Sequence, residues 1–369
     1  MARIAGHILS ALFLFTLLIP VASAPATAST KHIRSPHLAP LALSYRTIID
    51  GPTYDVQVNL TIIGLESRFP DFDQLGLIQL EQGSATVQVR YRLAMDMNRD
   101  YLVDETSDAL LQTGDIVEYL PGFHITLVKP GLLERLSYSN YQDYSYWQWM
   151  FDGRPRDSRI AIFPVVEEVY ISGRVSLAVQ GFASFYIEHY NYTNKILTGY
   201  WIPPPPTPVV DNYNEFAVRT MRAGWFVTDP EEMVAGYEYA IGTSLDGTQI
   251  LNWQDAGANA SVTRSDLALI PGWNCIWSVY SKTSWGDVSN IGNSQWIYMA
   301  FPVSPAQSKQ SEFSTPMGLP DVVVSAVFPG LFYVQDFKRT GGIGVLFDAQ
   351  VNPGDIVDVV GFPSYYSDE

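Results

Sequence analysis

One cysteine, Cys275, stands in a chain of 369 residues. It has no partner for an internal disulfide, and with no Cys pair there is no zinc or redox motif of the Cys-x-x-Cys kind. Charge is scarce, at 16% of residues, and positive charge scarcer still, with 22 Lys+Arg against 38 Asp+Glu. A formal net charge of -16 argues against nucleic acid as a partner, because that affinity depends on Lys and Arg neutralising phosphates. The charge suits solubility, repulsion between molecules and attraction for cations. Apolar residues at helical spacing are nearly absent from residues 44–202. Long apolar runs are absent too, apart from Ile8 to Ile19, which falls short of the ~20 residues needed to span a bilayer.

What is present is Tyr, Trp, Thr, Asn, Gly and Pro, a composition that favours strands and turns and predicts an all-β, multi-domain protein. Residues 1–28 carry Arg3, the short apolar run and small residues at Ala22-Ser23-Ala24 and Ala26-Thr27-Ala28, the pattern of a secretory signal peptide. Pro25 disfavours the first cleavage point, which puts the mature start near Ser29. An uncleaved anchor is the alternative. The expectation is a secreted or cell-surface protein with no membrane span once the signal is removed.

Residues 29–43 have no period and read as a tether. From 44 to 202, runs such as Tyr54 to Ile62 and Ala85 to Leu93 alternate apolar and polar residues, which predicts a β-sandwich. Pro203-Pro204-Pro205-Pro206-Thr207-Pro208 reads as a stiff linker between domains. Residues 209–303 form a second unit. A polar stretch at 304–317 separates it from a last piece at 318–369.

In the second unit, Trp225, the turn Asp229-Pro230-Glu231, the strand Gly236-Tyr237-Glu238-Tyr239-Ala240-Ile241-Gly242-Thr243 and the corner Leu269-Ile270-Pro271-Gly272 follow in order. This resembles a fibronectin type III domain, which implies a β-sandwich serving as spacer or binding module with no active site of its own. The family's usual corner tyrosine is here Cys275. The resemblance implies a buried structural cysteine, with Trp273 or Trp277 supplying the missing bulk. The last piece, with Leu331-Phe332-Tyr333-Val334-Gln335-Asp336, Gly342-Ile343-Gly344-Val345 and Gly354-Asp355-Ile356-Val357-Asp358-Val359, resembles the front of a bacterial exported OB-fold module. Four strands can be counted where that barrel needs five, so the module reads as partial. Lys338 and Arg339 stand there against seven carboxylates, the wrong balance for phosphate binding.

Two constellations carry candidate chemistry. Asp96, Asn98, Asp100, Asp104 and Asp108 place oxygens along one loop, as Ca²⁺ requires. The loop resembles those of dockerin, EF-hand and thrombospondin-type repeats, although Tyr101 replaces the turn glycine and Ser107 takes the twelfth position. The alternative is a solvated acidic turn. Tyr144, Tyr146, Trp147 and Trp149 belong to an aromatic cluster that can stack on sugar rings, or equally pack in a core. For catalysis the chain offers little: His124 and His189 read as satisfied packing residues with no metal-binding His pair, and the adjacent Glu167 and Glu168 point to opposite faces of a strand. The reading is therefore a non-enzymatic exported binding or display protein with a structural Ca²⁺ ion, its partner a polysaccharide or another envelope protein. The alternative is an accessory or catalytic part of an extracellular polysaccharide-active enzyme.

Overall fold

Period-two alternation needs a sheet with two distinct faces, and in the first domain the two faces end up in two different cores. The computed structural model describes residues 32–34, 39, 41–48, 52–63, 77–81, 110–119, 125–141, 143, 145–171, 174–228, 233–265, 267–310 and 314–364. The first domain contains β1 (His32–Arg34), β2 (Leu41–Ser44), β3 (Gln57–Ile63), β4 (Leu77–Glu81), β5 (Leu110–Gln112), β6 (Ile116–Tyr119), β7 (Ile160–Ile171), β8 (Arg174–Asn191) and β9 (Ile196–Ile202). The pairings run β2–β7–β8–β9–β3–β4 and return to β2, with β6 bridging β4 and β8. Leu43, Ile62, Leu77, Phe163, Phe185 and Leu197, one from each strand of that ring, are fully buried in a single cluster. A sheet closed on itself around its own side chains thus stands where two facing sheets were expected. Gly199 permits the close approach of β9 to β8, since a β-carbon there would overlap the Tyr186 carbonyl oxygen.

Two short helices break the all-strand expectation for this domain. Helix α1 (Ile125–Ser137) contributes Leu132 and Leu136 to the ring's interior cluster. Its Arg135 is buried, donating through Nε to the Ser158 carbonyl (2.9 Å) and through a terminal nitrogen to the Ile160 carbonyl (2.7 Å). Helix α2 (Tyr146–Phe151) covers the outer face of the ring. The tether expected at 29–43 also changes character: Leu41, Ala42 and Leu43 are buried and pair with β4 and β7.

The second unit contains β10 (Val209–Asn212), β11 (Phe216–Ala217), β12 (Met221–Phe226), β13 (Gly236–Gly242), β14 (Leu251–Gly257), β15 (Ser261–Arg264), β16 (Asn274–Lys282), β17 (Gly292–Asn293) and β18 (Ile297–Met299). Strands β10-β12-β15 form one sheet and β11-β18-β16-β13-β14 the other, with β17 on β16. Trp225 from the first sheet and Tyr239, Ile241, Trp277 and Val279 from the second share one core. This is a fibronectin type III-like sandwich. Cys275 and Trp277 are fully buried, whereas Trp273 is exposed, so Trp277 is the tryptophan that fills the corner.

The last unit contains β19 (Phe301–Pro302), helix α3 (Pro305–Ser308), β20 (Met317–Phe328), β21 (Leu331–Gln335), β22 (Gly342–Val345) and β23 (Ile356–Gly361). Strand β20 lies between β21 and β23, β22 adds to β21, and β19 joins β20 in parallel. Helix α3 lies in the stretch read as a linker, where Ser304 and Gln307 cap each other's backbone N–H groups. The fold is thus all-β and multi-domain. Among the described residues no helix is long and apolar enough to cross a membrane.

Candidate ligand-binding surface and the junctions behind it

The aromatic cluster owes its shape to one capping residue. Ser145 Oγ accepts the Gln148 backbone N–H at 2.9 Å, starting a helix where aromatic alternation suggests a strand. In a strand Trp147 and Trp149 would share a face. In a helix residues three apart share it, so Tyr146 and Trp149 turn inward together and both are buried. These two are corrected as glycan-stacking candidates, because their rings are spent on packing. Trp147 lies on the other side and is 45% exposed. Tyr144 lies outside the described residues.

The buried rings form a stack. Tyr146 lies on Tyr200 with centroids 4.1 Å apart and planes 7° from parallel. Trp149 meets Tyr186 at 5.1 Å and donates its indole N–H to the Pro155 carbonyl at 2.7 Å. Trp147 meets Tyr146 and Tyr200 edge to face, at 5.3 Å and 73° and at 6.0 Å and 69°. Polar groups border this aromatic ledge. Asp55, at a positive φ of 60°, accepts the Tyr146 hydroxyl at 3.1 Å. Gln57 donates to Glu188 Oε2 at 2.5 Å, and Gln57 stands opposite Tyr200 across β3 and β9.

The phenols around the ledge are held in their neutral forms. Burial, then Asp55, raises the Tyr146 phenol, and burial also raises Tyr186. Tyr141 is pushed up to about 12 by burial and by its hydrogen bond to Asp152. Phenols held neutral give and take hydrogen bonds but do not serve as bases near pH 7. Burial likewise pushes the Cys275 thiol up to about 11, away from a nucleophile's range. Among the described residues no group of three or more His, Cys, Asp or Glu is placed to hold a metal ion. The calcium candidates Asp96, Asn98, Asp100, Asp104 and Asp108 all lie outside the described residues.

Behind the ledge, first and second units are joined by a common core. Trp285, Tyr280 and Val288 of the second unit lie in one buried cluster with Tyr146, Trp149 and Tyr186 of the first. Trp149 and Trp285 are 5.9 Å apart, and Ser184 Oγ donates to the buried Asp287 carboxylate at 2.7 Å. The polyproline stretch is held against the second unit: Pro205 and Pro208 are buried, and the Pro206 carbonyl accepts Ser281 Oγ at 2.7 Å. The second and third units are clamped by Arg219, which donates to Asp321 at 2.5 and 2.6 Å and to Asp358 at 2.7 Å. Phe216 meets Phe362 edge to face at 5.3 Å beside it.

Sequence reasoning missed Asp55, Gln57, Glu188 and Tyr200, which belong to three separate segments brought together by strand pairing. The only local signal was the i, i+2 spacing of Asp55 and Gln57 at the start of an alternating run.

No protein-family model matches the chain, and no curated protein does. Solved structures with some likeness include titin kinase and its flanking domains, 10% identical over 39% of this chain and 29% of that one, at a TM-score of 0.20. The twitchin kinase region from C. elegans is 10% identical over 38% of this chain and 32% of that one, at 0.21. Chicken CNTN1 FN1-FN3 domains are 11% identical over 56% and 92%, at 0.21. The chain spans under a third of the first two structures. The fibronectin type III-like assignment rests on the pairings of the second unit itself.

Proposed function

We propose that this chain is an exported, non-enzymatic binding or display protein, with its recognition surface on the first domain and two further modules acting as a rigid arm. The observation that carries this reading is the continuity of packing across both junctions. A shared aromatic core at the first junction and a bidentate arginine clamp at the second resist the relative motion that is the default between domains. A rigid arm fixes the distance and orientation of a surface relative to whatever holds the other end. The third unit is read as OB-like, supported by β20 pairing with both its successor and β23. Its acidic balance speaks against nucleic acid. The acidic segment from Asp96 to Asp108 is assigned a structural Ca²⁺ ion on its oxygen spacing, and the leader at 1–28 assigns the protein to the cell surface or beyond.

The test pairs shape with activity. Small-angle scattering of the exported chain should give the profile of one particle of fixed shape. Incubation with soluble polysaccharides should release no reducing ends. A scattering profile that only an ensemble of hinge angles can fit overturns the arm, and turnover of any polysaccharide overturns the non-enzymatic reading.

A further inference from the structure

The geometry points to a binding site for a neutral sugar ring on the Trp147 ledge, within the binding function proposed above. Three observations converge there. The indole is 45% exposed although it sits at the end of a buried aromatic stack, and both neighbouring rings meet it edge to face. Neither ring lies flat against it. A face of a fixed indole is an apolar plate that matches the axial C–H face of a pyranose, and it costs little entropy on binding because the ring is already held.

Second, polar groups lie on the two rings that the plate touches: Asp55 accepts the Tyr146 hydroxyl, and Gln57, which pairs with Glu188, stands opposite Tyr200. Asp55 is exposed and Glu188 is half-buried, and Gln57 occupies one oxygen of Glu188. A carboxylate has about four lone-pair sites, so each keeps acceptor capacity for sugar hydroxyls. The pairing of aromatic plate and planar polar side chains is what separates a sugar site from an ordinary apolar patch. Third, the flank is acidic, which selects against uronic acids and sulfated glycans by like-charge repulsion. The substrate class is therefore a neutral polysaccharide, engaged without cleavage.

Affinity electrophoresis of the full exported chain tests this, with laminarin, hydroxyethyl cellulose, xylan and dextran as neutral probes and polygalacturonate as the acidic one. The native protein should be retarded by at least one neutral probe and by polygalacturonate not at all. Trp147→Ala should weaken that retardation several-fold, up to about tenfold, the loss expected for a ring-stacking contact. Trp147→Tyr should restore part of it, and Glu188→Gln should weaken it while leaving polygalacturonate excluded by Asp55. Thermal unfolding should move little in Trp147→Ala, since the side chain is half exposed. Phe151→Ala, an exposed aromatic at the far end of α2, serves as the control and should bind normally. No retardation by any neutral probe, or retardation that survives Trp147→Ala, overturns the site. Either result with a rigid scattering profile leaves the arm standing, so the two proposals fail separately.

Discussion

Trp285→Ala is the perturbation that asks whether the first two units are one folding unit. Trp285 is 1% exposed and comes from the second unit, yet its ring lies 5.9 Å from Trp149 of the first. A buried tryptophan removes roughly 150–250 Å² from water, which at ~25 cal/mol per Å² sets an upper bound of about 4–6 kcal/mol. Truncations of this kind in cores cost about 3–5 kcal/mol. The void opens between units, so both lose contacts. Native-state hydrogen exchange, read peptide by peptide, should show β8 of the first domain and β16 of the second opening more easily together. About 3 kcal/mol corresponds to more than a hundredfold in the opening equilibrium. A double-mutant cycle with Trp149→Ala should give a coupling of about 0.5–3 kcal/mol. If β16 opens and β8 exchanges at its native rate, the common core is a mere contact between independent domains, and the reasoning fails.

Arg219→Ala should leave the melting temperature of the second unit nearly unchanged, because the clamp is solvent-accessible and such pairs contribute little to stability, but should broaden the scattering-derived distance distribution. The Arg219 guanidinium holds the Asp321 carboxyl below its ordinary 3.8. A depressed carboxyl stabilises above that ordinary value and loses its contribution as pH falls through the folded one, so the arm should stay rigid at pH 5 and loosen only below about 3.8; loosening at pH 5 would refute the clamp. Cys275 should resist thiol reagents at pH 8 and react at the rate of global unfolding, since its thiol is buried and pushed up to about 11; fast labelling of native protein would contradict this. Calcium at millimolar levels should raise the melting temperature of the native chain and not of Asp100→Ala; equal curves with and without calcium would remove the metal assignment.

The second unit was legible because its strands are long, alternating and locally punctuated. Tyr237, Tyr239 and Ile241 fall on one face in the text and are all buried in the same core. Helix α1 was not legible. It contains Pro130 and Gly131, which cost a helix interior about 3 and 1 kcal/mol, so propensity argues against it. Tertiary contacts of Leu132, Leu136 and Arg135 hold it in place. The closed sheet of the first domain was hidden for another reason: alternation says that a strand has two faces, but not which strand lies beside which. The ledge followed suit. Its aromatic residues were found from composition, while the polar flank depended on pairings between segments about 130 residues apart.

The polyproline stretch shows how a composition signal can be read correctly for position and incompletely for role. Proline has no N–H, so burying it against a neighbouring unit leaves no donor unsatisfied, while its carbonyls remain free to accept. Pro206 does so from Ser281, and Pro205 and Pro208 bury their rings. The segment therefore works as a strap as well as a spacer, which a Gly/Ser linker could not do without leaving buried amides unpaired. Pro205→Ser tests this, since it restores an N–H at a buried position and should lower stability by about 1–3 kcal/mol, the penalty for an unsatisfied donor. Pro204 is exposed, and Pro204→Ser, whose new N–H meets water, should cost a small fraction of that. Equal melting temperatures for the two variants would mean that the stretch is held by its stiffness alone and that its burial contributes nothing.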